Sequence, residues 1–261
     1  LEEFTGETLD EDRLRTLLTG ANTCTEKYWE LYELHKARPC PVPNLFNLFL
    51  APLRFCSWGH PEAIEVFDAM IDESRRRLEE GAYPAEKERA RVLWAYTSYY
   101  FDIRGLHSWM EQRGYTFLCD VLDLYMPQPM DLTSYDTMVE GMIDAAWNYP
   151  MNRQMAAPSM SHAWTRDVAY SAQDMGADCV VYCGHDACKQ TWSVVSILRE
   201  QLMEQAGIPL LILHGDSWMK TTTPITAIQK ELDEFINGVV LSKRKGKRRM
   251  RRRPSQAPTM G

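Results

Sequence analysis

Asp178-Cys179-Val180-Val181-Tyr182-Cys183-Gly184-His185-Asp186-Ala187-Cys188-Lys189 decides the fold. Residues 178–183 form a short apolar run rich in β-branched and aromatic side chains, the pattern of a strand buried on both faces. From Lys189 the apolar residues recur at helical spacing as far as 206, where Gly207 supplies a stop. A strand that feeds directly into a helix opens a βα unit, so Cys188 lies at the carboxyl end of a strand, beside a helix start. In open α/β sheets ligands bind in that crevice. Backbone N–H groups and the helix dipole there favour a thiolate, the form of cysteine that ligates metal or acts as a nucleophile.

The same alternation extends in both directions. Upstream, 91–96 reads as a strand, 103–113 as a helix stopped by Gly114, and 115–121 as a second strand; a helix over 162–175 then leads through Gly176 into the strand already described. Downstream, 209–213 reads as a last strand, and Thr223-Pro224 opens a closing helix. Strands alternating with helices predict an α/β fold: a doubly wound, mainly parallel sheet of about four strands with right-handed crossovers. The first third is helical instead. Thr8-Leu9-Asp10-Glu11 matches a capping box, and Leu14, Leu17, Leu18, Ala21, Tyr28 and Tyr32 follow one face up to the break at Pro39-Cys40-Pro41-Val42-Pro43. A second helix follows Pro61 and ends at Gly81, an apolar link joins the two, and 122–161 is a Met- and Pro-rich excursion. The expected organisation is a helical region over 1–88, a flavodoxin/Rossmann-like domain over 89–241 and a disordered basic tail over 242–261.

Composition narrows the function classes. No apolar run reaches the roughly 18 residues that span a bilayer. Seven cysteines, an odd number without a secretory signal, predict reduced thiols and a cytoplasmic protein. The chain opens Leu1-Glu2-Glu3 with no initiator Met, which predicts a missing N-terminal part that the helical region completes. Residues 243–253 hold nine Lys/Arg, leaving twenty basic against 36 acidic residues elsewhere, so the body is acidic and only the tail offers a cationic surface. Nucleic acid is thereby an unlikely partner for the body. There is no internal repeat and no glycine-rich loop of the dinucleotide or P-loop type, although the turn Gly184-His185-Asp186 has backbone N–H groups suited to a phosphate or carbonyl oxygen.

Among the thiols, Cys188 is the candidate metal ligand or nucleophile, with Cys183 as a second candidate. Cys179 is excluded from a local knot, since four strand residues span about 13 Å and zinc–sulfur bonds are only about 2.3 Å. Cys24, Cys40, Cys56 and Cys119 read as packing residues. His185, His214 and Asp216 each follow a strand and are candidates to converge on Cys188, so a Cys-His-Asp nucleophilic set is an alternative to metal binding. Asp186 reads as a helix cap, and Trp192 as a cover for the site or a core aromatic.

These residues carry a family resemblance. Leu1-Glu2-Glu3-Phe4-Thr5-Gly6 with Leu14 and Asn22, the unit over 91–121, and above all Val180-Val181-Tyr182 through Cys188-Lys189, with Gly207-Ile208-Pro209 and Asp216 behind them, resemble the 2-hydroxyacyl-CoA dehydratase and benzoyl-CoA reductase subunits. The similarity covers what corresponds to the second half of a typical subunit. It implies a two-lobed α/β protein in which three cysteines hold a four-iron four-sulfur (4Fe-4S) cluster, two of them from the first half. Cys188 matches the third, with Gly184 and Lys189 beside it as cofactor contacts and His185 and Asp216 as candidate catalytic groups. The resemblance further implies an acyl-CoA substrate, a homologous second subunit, and an ATP-dependent iron–sulfur activator that supplies an electron for a ketyl-radical dehydration. A cluster with three thiolates leaves one iron open to a substrate oxygen. Dehydratase and ring reductase stay open alternatives, as do a cluster-free partner-binding module and a cysteine-dependent hydrolase or transferase.

Overall fold

The computed structural model describes residues 2–123, 128–149, 152–153 and 161–242; the basic stretch expected to form the tail lies outside them, Ser242 excepted. After a one-turn helix at Glu2–Thr5 come α1 (Glu11–Lys36), α2 (Asn47–Cys56) and α3 (Pro61–Glu80). The remainder alternates: β1 (Ala90–Trp94), α4 (Ile103–Arg113), β2 (Tyr115–Phe117), α5 (Tyr135–Trp147), α6 (Ala163–Asp174), β3 (Cys179–Gly184), α7 (Lys189–Gln201), β4 (Leu210–His214) and α8 (Ile225–Phe235).

All four strands are parallel, in the order β2-β1-β3-β4, with Val92 paired to Cys179 and Gly184 to His214. Alternation along β3 divides the core. Val180 and Tyr182 pack with α1, α2, α3, α6 and α7, whereas Cys179, Val181 and Cys183 pack with α4 and α8 on the other face. Both faces are covered, so the sheet is doubly wound as the alternation predicted. The chain moves outward from β1 to β2, then crosses back to β3 and β4, which places the reversal of strand order between β1 and β3. Arg91 locks this arrangement together: fully buried on β1, it donates to the carbonyls of His35, Ala37 (2.9 Å) and Met175 (3.1 Å) and pairs with Glu88. It thereby ties the C-terminal ends of α1 and α6 to the sheet.

Several boundaries differ from expectation. The cap of α1 is Asp10, which accepts from the Arg13 N–H at 2.9 Å, so the helix starts two residues later than a Thr8 cap would place it. The apolar link over 45–55 contains α2, despite Pro52 in its interior. The excursion contains α5, opened by a capping box between Ser134 and Thr137; only Met138 of this helix is buried, so no apolar stripe announces it. The regular part of β2 stops at Phe117, short of the expected 121. On the outer edge of β2 stands Asn44, whose amide donates to the Tyr115 carbonyl (2.9 Å) and accepts from the Phe117 N–H (2.8 Å), the two bonds that a further strand would make. Cys24, Cys40, Cys119 and Cys179 are buried, but Cys56, expected in the core, is exposed at the end of α2. Among the described residues no helix is long and apolar enough to cross a membrane.

Candidate functional site

The reversal between β1 and β3 opens a crevice at their carboxyl ends, the position where doubly wound sheets bind ligands. A cleft of about 550 Å³ occupies it. Tyr96 and Tyr100 reach it from the segment after β1, Asp120 and Asp123 from the turn after β2, and His185 from the turn after β3, while α2 supplies an apolar wall including Ala51 and Phe55.

Cys188 stands beside this cleft, at the N-cap position of α7 and half-buried. The Tyr96 hydroxyl, part of the cleft lining, lies 3.8 Å from its sulfur. Partial burial opposes ionisation. The Thr191 hydroxyl and N–H, the Tyr96 hydroxyl and the Gln190 N–H together outweigh it, holding the thiol below its ordinary range, although none of the backbone groups makes a formed capping bond. Thr191 is itself held by the buried Tyr182, whose hydroxyl donates to it at 2.7 Å. Trp192 braces the turn from within: its indole N–H donates to the His185 carbonyl at 2.9 Å, and its ring packs edge-on against Tyr182.

The remaining residues singled out from sequence fall into two groups. His185 and Asp216 are brought together, with Nδ1 and Oδ2 3.5 Å apart. The N–H groups of Trp218 (2.8 Å) and Met219 (3.0 Å), joined by His185, hold the Asp216 carboxyl below the usual carboxylate range. Gly184 ends β3 where any side chain would strike the Tyr182 hydroxyl, so glycine there is already required by packing. Lys189 is exposed on the first turn of α7. Cys183, by contrast, faces the opposite side of the sheet from Tyr182; it is fully buried, 3.7 Å from the Ser217 hydroxyl, and burial pushes its thiol up to about 11. His214 stacks on Trp192 at 4.9 Å. Among the described residues no hydrogen bond joins Cys188 to a histidine, so the nucleophilic set is not assembled. Asp186 is exposed and does not cap α7, whose N-cap is Cys188 itself.

Of the lining residues, sequence patterning singles out only His185; the polar Tyr96, Tyr100, Asp120 and Asp123 escape it. Tyr96 was absorbed into the expected strand over 91–96, and Asp120 with its neighbour Asp123 lay at or beyond the end of an expected strand over 115–121. In the structure β1 ends at Trp94, and a single helical turn, Val121–Asp123, follows β2. Two carboxyls just past a strand of a parallel sheet were the available signal.

A family model described as 2-hydroxyglutaryl-CoA dehydratase, D-component, matches residues 1–238. The chain belongs to this family. Membership in the 2-hydroxyglutaryl-CoA dehydratase D-component family makes it a dehydratase-type subunit, and the matched span includes every strand, the cleft and Cys188. No curated protein matches the chain. An iron–sulfur cluster requires several converging thiolates. Cys188 fits one such position by its accessibility and lowered pKa. The described residues do not complete the set: none of them form a group of three or more His, Cys, Asp or Glu able to hold a metal ion.

Proposed function

We propose that the protein is a subunit of a 2-hydroxyacyl-CoA dehydratase, a lyase that removes water from a 2-hydroxyacyl thioester, and that the cleft between β1 and β3 receives the acyl group. The family match over residues 1–238 carries this reading. The cleft supports it, being a mainly apolar space with hydroxyl, imidazole and carboxyl groups at its rim, open at the switch point of the sheet. Loss of water breaks a C2–O and a C3–H bond, and the C3 hydrogen is not acidified by the thioester carbonyl, which is why the family relies on an electron of low potential. In this proposal an ATP-dependent activator supplies that electron, a homologous second subunit completes the enzyme, and Cys188 contributes one thiolate towards a 4Fe-4S cluster whose other ligands lie outside the described residues.

The chain's own groups have narrower tasks. Thr191 and Tyr96 keep the Cys188 sulfur in a form that can ligate metal, and the His185–Asp216 pair fixes the turn that carries it. The test is anaerobic production of the full-length protein with its partner subunit, followed by iron and sulfide analysis. Cys188→Ser is expected to lower bound iron and to abolish ATP-dependent conversion of a 2-hydroxyacyl-CoA to the enoyl-CoA. Unchanged iron in the variant defeats the ligand assignment, and absence of turnover over a panel of 2-hydroxyacyl-CoA esters defeats the dehydratase reading.

A further inference from the structure

Asp120 and Asp123 present their carboxyls to the same cleft, yet they are only 7% and 5% exposed. The wall around them is apolar, formed by Leu48, Ala51, Pro52, Phe55, Ile103 and Leu122. Two carboxylates in such surroundings lose their hydration and repel one another, so the second charge is disfavoured. Hydrogen bonds distinguish the two. Asp120 accepts from the Tyr100 hydroxyl and from the Leu122 N–H, both at 2.9 Å, which stabilises its charged form. The Asp123 carboxyl accepts no hydrogen bond among the described residues, whereas its backbone is engaged at both ends: the N–H donates to the Asp120 carbonyl at 3.0 Å and the carbonyl accepts from Tyr28 at 2.7 Å. Asn47 also lines the cleft, 8% exposed, with its Oδ1 buried and, among the described residues, without a partner. The Asp123 carboxyl is thus left without a protein donor in an apolar space.

We propose that the cleft accepts a 2-hydroxyacyl group whose side chain is uncharged and apolar, and that Asp120 and Asp123 hold a single proton between the two of them, carried by Asp123, which offers it as a hydrogen bond to an oxygen of that group. The proposal rests on the acyl-CoA reading given above. An anionic side chain would meet the Asp120 charge, and a cationic one would draw the proton from Asp123. The surrounding groups agree with one proton in the pair. Arg54 on α2 is the one cation acting on Asp123 among the described residues, and it is engaged with the Leu122 carbonyl and the Tyr149 ring. Tyr28 from α1, Tyr100, Tyr149 and Cys119 also face the pair, and burial pushes each of them up, so they stay neutral at pH 7. His185 stands elsewhere on the lining, next to Asp216. Burial raises both carboxyls, and the Asp120 charge raises Asp123 further.

Two measurements on the full chain test this. Carbon-13 NMR of the labelled aspartate carboxyls should show one resonance that titrates well above the others, is lost in Asp123→Asn and moves to lower pH in Asp120→Asn. Titration of every carboxyl in the ordinary range, or survival of the late resonance in Asp123→Asn, overturns the shared proton. Calorimetry should show 2-hydroxyhexanoyl-CoA binding at least about tenfold more tightly than 2-hydroxyglutaryl-CoA at pH 7, a difference of about 1.4 kcal/mol. Its affinity should fall with rising pH in the wild type and stay level in Asp123→Asn. Equal or tighter binding of the glutaryl ester, or a pH-independent wild type, overturns the proposal. Failure of both esters to bind at any pH defeats the acyl-CoA reading instead, because the carbon resonance decides the shared proton separately.

Discussion

Replacing Thr191 with valine removes one oxygen and almost no volume, yet it should act on both the stability of the fold and the chemistry of Cys188. The Tyr182 hydroxyl donates to Thr191 Oγ1 at 2.7 Å, and both residues are fully buried. With both side chains fully buried, water does not replace the lost acceptor. A buried donor left unsatisfied costs about 1–3 kcal/mol. With a urea dependence of roughly 3 kcal/mol/M for a chain of this size, the unfolding midpoint should drop by about 0.3–1 M. The Thr191 hydroxyl also helps to hold the Cys188 thiol below its ordinary range, so the pH at which Cys188 is half-maximally alkylated should rise in Thr191→Val and stay in place in Thr191→Ser. Urea unfolding and alkylation with iodoacetamide, read by peptide mass, measure the two effects. A valine variant that matches the serine variant in both would show that the oxygen supports neither Tyr182 nor the sulfur.

Two further outcomes are expected. Asn44→Ala removes the amide that satisfies the Tyr115 and His107 carbonyls and the Phe117 N–H, all buried, and should destabilise the protein by on the order of 3 kcal/mol with a loss of amide-exchange protection confined at first to β2; a loss under 1 kcal/mol would show that the edge rearranges to replace it. Asp123→Asn should stabilise the protein relative to the wild type by an amount that grows with pH. The raised carboxyl keeps its proton in the folded state above the unfolded value near 3.9, so wild-type stability declines as pH rises from there through the folded value. Each unit of separation is worth about 1.4 kcal/mol. Buried His35 and His107, which burial holds near 4, have the opposite sign, losing stability as pH falls from about 6.5 towards 4, but they are common to both proteins and cancel in the difference. A difference that is flat from pH 4 to 9 would contradict the raised carboxyl.

Burial patterns explain how much of this architecture was legible. The strands at 90–94, 179–184 and 210–214 are short apolar runs bounded by turn residues, α3 and α4 end at Gly81 and Gly114, and the wider helical turn Leu202–Ala206 that continues α7 ends at Gly207, so periodicity and punctuation agree. α5 leaves no periodic mark in the sequence because it buries only Met138, and α2 leaves none because its apolar residues run together around Pro52. The position of Cys188 followed from the rule that parallel sheets display ligands at their carboxyl ends. The orientation of its neighbours did not, since that depends on which face each strand residue takes: adjacent Tyr182 and Cys183 point to opposite cores. The acidic pair was hidden by Leu118 and Cys119, whose hydrophobicity prolonged the apparent strand past the point where the chain turns into the cleft.

The side-chain amide on the outer margin of β2 has a consequence for assembly. An uncovered parallel edge is a template on which other chains can add strands and aggregate. Asn44 already occupies the carbonyl of Tyr115 and the N–H of Phe117, so an incoming strand would have to displace a buried residue before forming its first rung. Pairing of a further strand at Tyr115 and Phe117 is thus blocked by one short polar residue, which steers a joining subunit towards helices, loops or the opposite margin.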